Sequence, residues 1–435
     1  MNAEIRAIKT SAEQALSEAY AAARATLPGK GALATLRADA FRHFEARGLP
    51  HRRVEEWKYT DLRALLRELN PLAPPPDAAA KARGKDAGRM FAGVDCRRLV
   101  FVDGSFVPEI SDLTPEPGLT VGSLADALVS GDADVVARIG KTFATDDVAV
   151  ALNTALMGDG AVIRVADGAT ITRPIHLVFA AGKKPSAAFV RSLAVVGKGA
   201  KVTVIEEHDG GDIQMNAAFE LVVGDEAQVD YFKITTAKAL HVASLLLSVG
   251  ARAKLSAFAF TADAKTVRNQ SFVRFAGEHT HGALRGVNLL RGKEHVDTTL
   301  LIDHAVGHCD SRELFRSVLD GESRNAFQGK IVVQPHAQKT DAKMMTRALL
   351  LSDDAEADSK PELEIFADDV VCGHGATTGA LDPGLKFYLM ARGITEPEAE
   401  ALLIQAFMGE IVEQIGHEGI RAAIMDAALA WLRTR

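Results

Sequence analysis

Gly197–Val202 (GKGAKV), Gly224–Val229 (GDEAQV) and Gly250–Leu255 (GARAKL) repeat one short phrase, glycine first and an apolar residue last. Their glycines are 27 and 26 residues apart, and Gly277 in GEHTHG follows 27 later. Between copies, runs of Val, Ile, Leu and Phe alternate with turn residues, so each unit holds two or three short strands. A unit that short cannot cover its own apolar face; only the next copy can, and stacking is the physical meaning of the repeat. The phrase therefore predicts a β-solenoid. ADGATI from Ala166 reads as an earlier copy, and GESRNAF from Gly321, 44 residues beyond Gly277, as the close of two shorter units. A β-sandwich also strings short strands between turns, but it has no need of a repeating phrase.

An open solenoid end is an unpaired edge, so helices on either side are expected as caps. Upstream, Ala3 to about Gly48 is rich in helix formers and broken at Pro28-Gly29, which predicts two helices. GLPHRRVEEWKYTDLRALLREL, Gly48 to Leu69, reads as a third helical piece, and the proline-rich stretch Pro71 to Arg89 as a linker or mobile loop. Downstream, Asp382 before Pro383 marks a helix start and Gly393 its end; Thr395 and Glu398 form a capping box. Ile420, Ile424, Ala427 and Trp431 then recur at helical spacing, which points to core. The expected division is a helical region with its linker over residues 1–95, a β-helix core over 96–380 and a helical domain over 381–435.

Composition narrows the function classes. The 435 residues are 47% hydrophobic and 25% charged, ordinary for a folded protein, and the net charge of -7 offers no general field for nucleic acid or anionic lipid. No run of 18 apolar residues and no export signal is evident, and three dispersed cysteines, Cys96, Cys309 and Cys372, argue against a disulfide framework. A cytoplasmic protein without a membrane span is expected. The nearest approach to a phosphate loop, GVNLLRGKE from Gly286, has the wrong spacing and Glu294 where a hydroxyl belongs, so no nucleotide site is expected. Dinucleotide-binding and serine-hydrolase motifs are likewise absent from any suitable context.

The sharpest chemistry lies in DDVVCGHGATTG, Asp368 to Gly379. On a strand, Val370, Cys372 and His374 share a face, with alternate α-carbons about 6.5 to 7 Å apart. Thiolate and imidazole together suit zinc or an iron-sulfur cluster, yet two donors are too few for a closed site, and the nearest other cysteine is 63 residues away. A Cys/His nucleophile pair and an inert buried pair are the alternatives. Gly373 leaves the opposite face clear and Gly375 permits close approach of another backbone. The remaining histidines, His279 and His281, His304 and His308, and His336, lack third and fourth donors and are taken as structural.

Four blocks carry a family resemblance: RRVEEWKYTDL from Arg52, FQGKIVVQPHAQKTDA from Phe327, LLLSDDAEADSKPELEIFADDVVCGHGATTGALD from Leu349, and FYLMARGI from Phe387. Together they resemble the SufB/SufD family of the SUF iron-sulfur cluster assembly system over nearly the full length. The resemblance implies a right-handed parallel β-helix between helical regions, pairing with a SufB-like subunit through β-helix ends, and docking of a SufC-like ATPase on the C-terminal helices. It also implies a transient cluster at the SufB interface, with His374 the first residue to carry over as metal-binding and Cys372 a weaker ligand or sulfur relay. SufB-like chains have a cysteine near the position of Arg347 and Glu-His-Glu where Gly373, His374 and Gly375 stand, so the SufD-like side of the family fits better. The function implied is a non-enzymatic scaffold, with a homodimer as the alternative assembly of the isolated chain. A rival class is a β-helix enzyme acting on polysaccharide through Asp341, Asp353, Asp354, Asp368 or Asp369; an aromatic fraction of 6% and no secretion signal weigh against it.

Overall fold

The computed structural model describes residues 9–182 and 184–434; the first residues of the expected N-terminal helix, from Ala3, lie outside them. The chain winds as a parallel β-solenoid of two facing sheets, one of 10 strands and one of nine, and successive strands alternate between them. From Ile175–Ala180 onward each strand pairs in parallel with the one a full turn earlier, so identical positions stack into columns along the axis. One inward column runs Val202, Val229, Leu255, Gly282, Ser311, Ala342, Cys372. Its neighbour runs Val204, Tyr231, Ala257, Leu284, Glu313, Met344, His374. The apolar residue that ends each copy of the repeated phrase thus belongs to the column that ends at Cys372.

The repeated glycine has a steric cause. At this corner the backbone of each turn lies so close to the previous one that a Cβ at Gly277 would sit 2.0 Å from the Ala251 nitrogen, and one at Gly224 would sit 2.8 Å from the Val196 carbonyl oxygen. The approach is held by ladder bonds such as Gly224 N–H to Val196 O, 2.8 Å, and Gly250 N–H to Val223 O, 2.9 Å. Two residues later the chain turns through the left-handed region, at Gly199, Glu226, Arg252 and His279.

Beyond Gly277 the turns lengthen, with strands starting at His281, Asp310, Asp341 and Val371. The next true copies of the corner are Gly307-His308 and Gln338-Lys339, where His308 and Lys339 take the left-handed conformation. Gly321 belongs instead to the opposite corner, where it stacks on Gly292. The spacing of 44 residues that assigned GESRNAF to the repeat was a step between corners, not two short units.

The two ends differ. At the N-terminal end the sheets finish in antiparallel strands, Ser105–Phe106 and Leu119–Ser123. Three helices follow, Leu124–Ser130, Ala133–Arg138 and Val148–Leu156, none of them evident from sequence. At the C-terminal end the last strands, Glu356–Ile365 and Val371–Gly379, are each paired on one side only, with Ile365, Phe366 and Val371 exposed. The C-terminal helices do not cap this end. Glu396–Val412 and Glu418–Arg433 instead lie along the outer face of the larger sheet, burying Ile404, Met408, Ile424 and Trp431 against Phe232, Phe260 and Leu289.

Two expectations for the N-terminal region change. The first two helices are present as Ser11–Ala23 and Ala32–Arg47, but Gly48 to Leu69 holds only a 3-10 turn at Glu55–Trp57 and a helical turn at Leu62–Leu65. Its polar groups are spent on the solenoid instead. The Trp57 indole donates to Asp147 (2.9 Å), Arg268 and Gln328 donate to the Glu56 carbonyl (2.7 and 3.2 Å), and Lys360 pairs with Glu55 (2.7 Å). The expected linker, Pro71 to Arg89, is docked: Ala187 N–H donates to Pro71 O and Ala73 N–H to Ala187 O, both 2.9 Å. Within it Asp77 caps the helix Ala78–Asp86, whose Ala80 and Gly84 fit against Val100 and Val102 because they are small.

Candidate functional site at the open end of the solenoid

Strand alternation places Cys372 and His374 on the inward face of the last strand, as their spacing predicts. In any earlier turn that face would be sealed core. Here no further turn covers it, so His374 is exposed and Cys372 is half-buried at the end of the interior core. Gly373 has open space where a side chain would project, and a Cβ at Gly375 would press on Met345. Arg347 lies one strand back, exposed and facing outward, on the opposite face from Cys372.

The thiol is not poised as a nucleophile. Burial pushes the Cys372 pKa up, the Asp341 and Glu313 carboxyls add to that, and the Ala342 backbone N–H only partly opposes it. A thiol held protonated argues against the Cys/His nucleophile pair and suits a residue that ionises on meeting a metal. Among the described residues no three His, Cys, Asp or Glu side chains converge as a metal site.

Sequence reasoning missed Glu313, the inward residue two turns below His374. It is fully buried and neither carboxyl oxygen is hydrogen-bonded among the described residues. Burial pushes its pKa up to about 8, against weaker opposing effects from Ser311 and Arg312. His304 is also buried, its Nε2 3.1 Å from Ser311 Oγ and its ring stacked on Phe275, and burial lowers its pKa to about 4. A signal for Glu313 was hard to find, because in SRELFRS charged residues fall on both faces and alternation distinguishes nothing.

The other histidines do not gather. His304 ends a strand while His308 sits in the following corner, stacked on His279, and His281 pairs with Asp310. His336 is exposed in the turn after Val333. The carboxylates of the polysaccharide-enzyme alternative are also dispersed. Asp341 pairs with Arg312 (2.8 Å) and Asp369 with Lys339. Asp353 and Asp354 occupy the turn at the opposite corner, between strands Asp341–Leu350 and Glu356–Ile365. Asp368 and Asp369 lie in the turn between Glu356–Ile365 and Val371–Gly379, so the five carboxylates are divided between the two corners.

A second surface stands out on the C-terminal helices. Pro383–Met390, started by Asp382 accepting from Gly384 and Leu385 N–H, buries none of its residues. It exposes Leu385, Phe387, Tyr388 and Met390, and Leu402 on the next helix is exposed too. Contiguous exposed apolar residues of this size mark interaction sites more often than chance surface. No described helix is long and apolar enough to cross a membrane.

Comparison with known proteins gives a consistent neighbourhood. Residues 178–407 match the family model described as SUF system FeS cluster assembly, SufBD core domain, and residues 10–177 match the SufBD protein N-terminal region. The chain is similar to the iron-sulfur cluster assembly protein SufD of Escherichia coli, 30% identical over 87% of this chain and 88% of that one. It is also similar to a SufBD family protein of Synechocystis, 31% identical over 84% of each chain, and to the chloroplastic protein ABCI7 of Arabidopsis thaliana, 26% identical over 86% of this chain and 80% of that one.

Proposed function

Because the chain belongs to the SufBD family of SUF-system iron-sulfur cluster assembly proteins, we propose that it is a non-enzymatic, cytoplasmic scaffold subunit whose open solenoid end pairs with a SufB-like partner. The observation that carries this is the pair of long, parallel, one-sided edge strands, Glu356–Ile365 and Val371–Gly379, in contrast to the short antiparallel strands Ser105–Phe106 and Leu119–Ser123 that end the sheets at the other side. Unpaired N–H and C=O groups on both sheets are a template for strand addition, and burying Ile365, Phe366 and Val371 under a partner adds apolar contact. Covering this end turns the half-filled Cys372/His374 face into the interior of an interface, where donors from the partner supply the ligands this chain lacks. The transient iron-sulfur cluster is the cargo of that interface, His374 its first ligand from this side, and Cys372 a further ligand or sulfur relay.

ATP hydrolysis belongs to a SufC-like ATPase docked on the apolar face of Pro383–Met390. The longer C-terminal helices are engaged with the solenoid and hold that face in place. The test is co-expression with SufB-like and SufC-like partners, followed by size-exclusion chromatography. Thr378→Pro, which removes a backbone N–H that faces the open edge, is expected to abolish SufB-like pairing and leave ATPase capture unchanged. Retention of the full complex by that variant, or a chain that forms only homodimers through the same edges, would contradict the assignment.

A further inference from the structure

The edge strand Glu356–Ile365 offers unpaired backbone, and the chain also concentrates its charge there. Residues 353–369 run from the corner before this strand, along it, to the corner after it. They hold eight carboxylates and one cation, Lys360, a net charge of -7 that equals the net charge of the whole chain, so the other residues sum to zero. Lower in the solenoid an outer acid is held from both neighbouring turns, as Glu226 is by Lys198 (3.7 Å) and Arg252 (2.7 Å). At the open end the preceding turn supplies Arg324 to Glu356 (3.2 Å), Lys330 to Glu364 (2.8 Å) and Lys339 to Asp369. No turn follows to supply cations from the other side. Lys360 is engaged by Glu55 (2.7 Å) and Glu362 (3.2 Å), and Asp353, Asp354, Asp358 and Asp368 form no ion pair among the described residues.

We propose that these acids select the partner of the open end: they oppose pairing with a second copy of this chain and favour a partner whose edge strand and corners carry lysine or arginine. The inference rests on the open-end pairing proposed above and adds the chemistry of the surface that fits it. The one-sided strand supplies the attraction, through N–H and C=O groups that any edge could use. The acids decide which edge is accepted. A second copy docked end to end about a two-fold axis, the symmetry of most homodimers, sets acidic corner against acidic corner whichever sheets align. Like charges facing each other across an interface disfavour that pairing, whereas opposite charges favour the correct partner and fix its register. A basic edge would continue between two chains the alternation of cation and acid that Lys198, Glu226 and Arg252 make within one.

The test uses the full-length chain alone. One variant carries Asp353→Lys, Asp354→Lys, Asp358→Lys and Asp368→Lys; a second carries Asp353→Asn, Asp354→Asn, Asp358→Asn and Asp368→Asn. Sedimentation velocity at about 50 mM salt, where screening is weak, should show the native chain and the lysine variant pairing with each other about tenfold more tightly than either pairs with itself. That advantage should vanish at about 500 mM salt. If the lysine variant does not fold, the asparagine variant serves: at low salt it should self-associate about tenfold more tightly than the native chain. A mixture that stays monomeric, native self-association as tight as the mixed pair, or equal self-association of native and asparagine chains would overturn the charge selection while leaving edge pairing intact. A mixed pair that survives Thr378→Pro in both chains would overturn the open-end reading and the inference together.

Discussion

At the scale of single residues, the molecule places two opposed titrations in its lumen. Glu313, with its pKa near 8, keeps its proton in the folded chain but loses it near pH 4.5 when unfolded, so its stabilising contribution is present below that pH and lost as pH rises toward 8. His304, with its pKa near 4, works the other way: its contribution is present above about pH 6.5 and lost as pH falls toward 4. Chemical denaturation from pH 5 to 8 should therefore show Glu313→Leu gaining on the native chain by roughly 3–4 kcal/mol across that window; parallel curves would refute a buried neutral acid. The Cys372/His374 pair was legible in sequence because period-2 alternation gives two residues of a strand the same face whatever surrounds them. Glu313 was not, since only the register of neighbouring turns reveals that its face is the lumen.

At the scale of elements, the corners set the tolerance of the solenoid. Gly277→Ala forces a Cβ into the Ala251 backbone and should cost roughly 3 kcal/mol or more. Gly199→Ala meets open space and strains only a left-handed φ of 65°, at about 1 kcal/mol; thermal melts of the two variants should separate accordingly. These corners were legible while the phrase recurred every 26 or 27 residues, up to Gly277, and illegible afterward, where the turns lengthen and Gly307-His308 and Gln338-Lys339 fill the same place. The docked segments Gly48 to Leu69 and Pro71 to Arg89 escaped sequence reasoning because their structure comes from tertiary contacts, Glu56 with Arg268 and Gln328, Pro71 with Ala187, and Ala80 and Gly84 with Val100 and Val102. Among the C-terminal helices, removing everything after Leu381 would strip cover from Phe232, Phe260 and Leu289 and so confuse docking with stability. The cleaner change is Phe387→Ser with Tyr388→Ser. It should leave the melting temperature within about 1–2 °C, as expected for exposed sites, and abolish capture of the SufC-like ATPase in a pull-down; undiminished capture would move the docking face elsewhere.

At the scale of the whole molecule, the decisive property is asymmetry. At one end the sheets stop in short antiparallel strands, Ser105–Phe106 and Leu119–Ser123. Helices cover the outer face of the larger sheet, the N-terminal segment around Trp57 fastens the other, and at the opposite end two full-length parallel strands are paired on one side only, where Cys372 and His374 face inward. On the proposed reading, a solenoid built this way presents a half-filled site at a surface suited to strand addition by a partner. The central claim is that His374 serves that shared site and not the fold, since its side chain is exposed in the chain alone. The most direct measurement is the iron and acid-labile sulfide content of the complex reconstituted anaerobically with SufB-like and SufC-like subunits, native chain against His374→Ala. The expected result is an intact complex of unchanged size, with iron and sulfide reduced to background in the variant; native levels of both in the His374→Ala complex would contradict the claim.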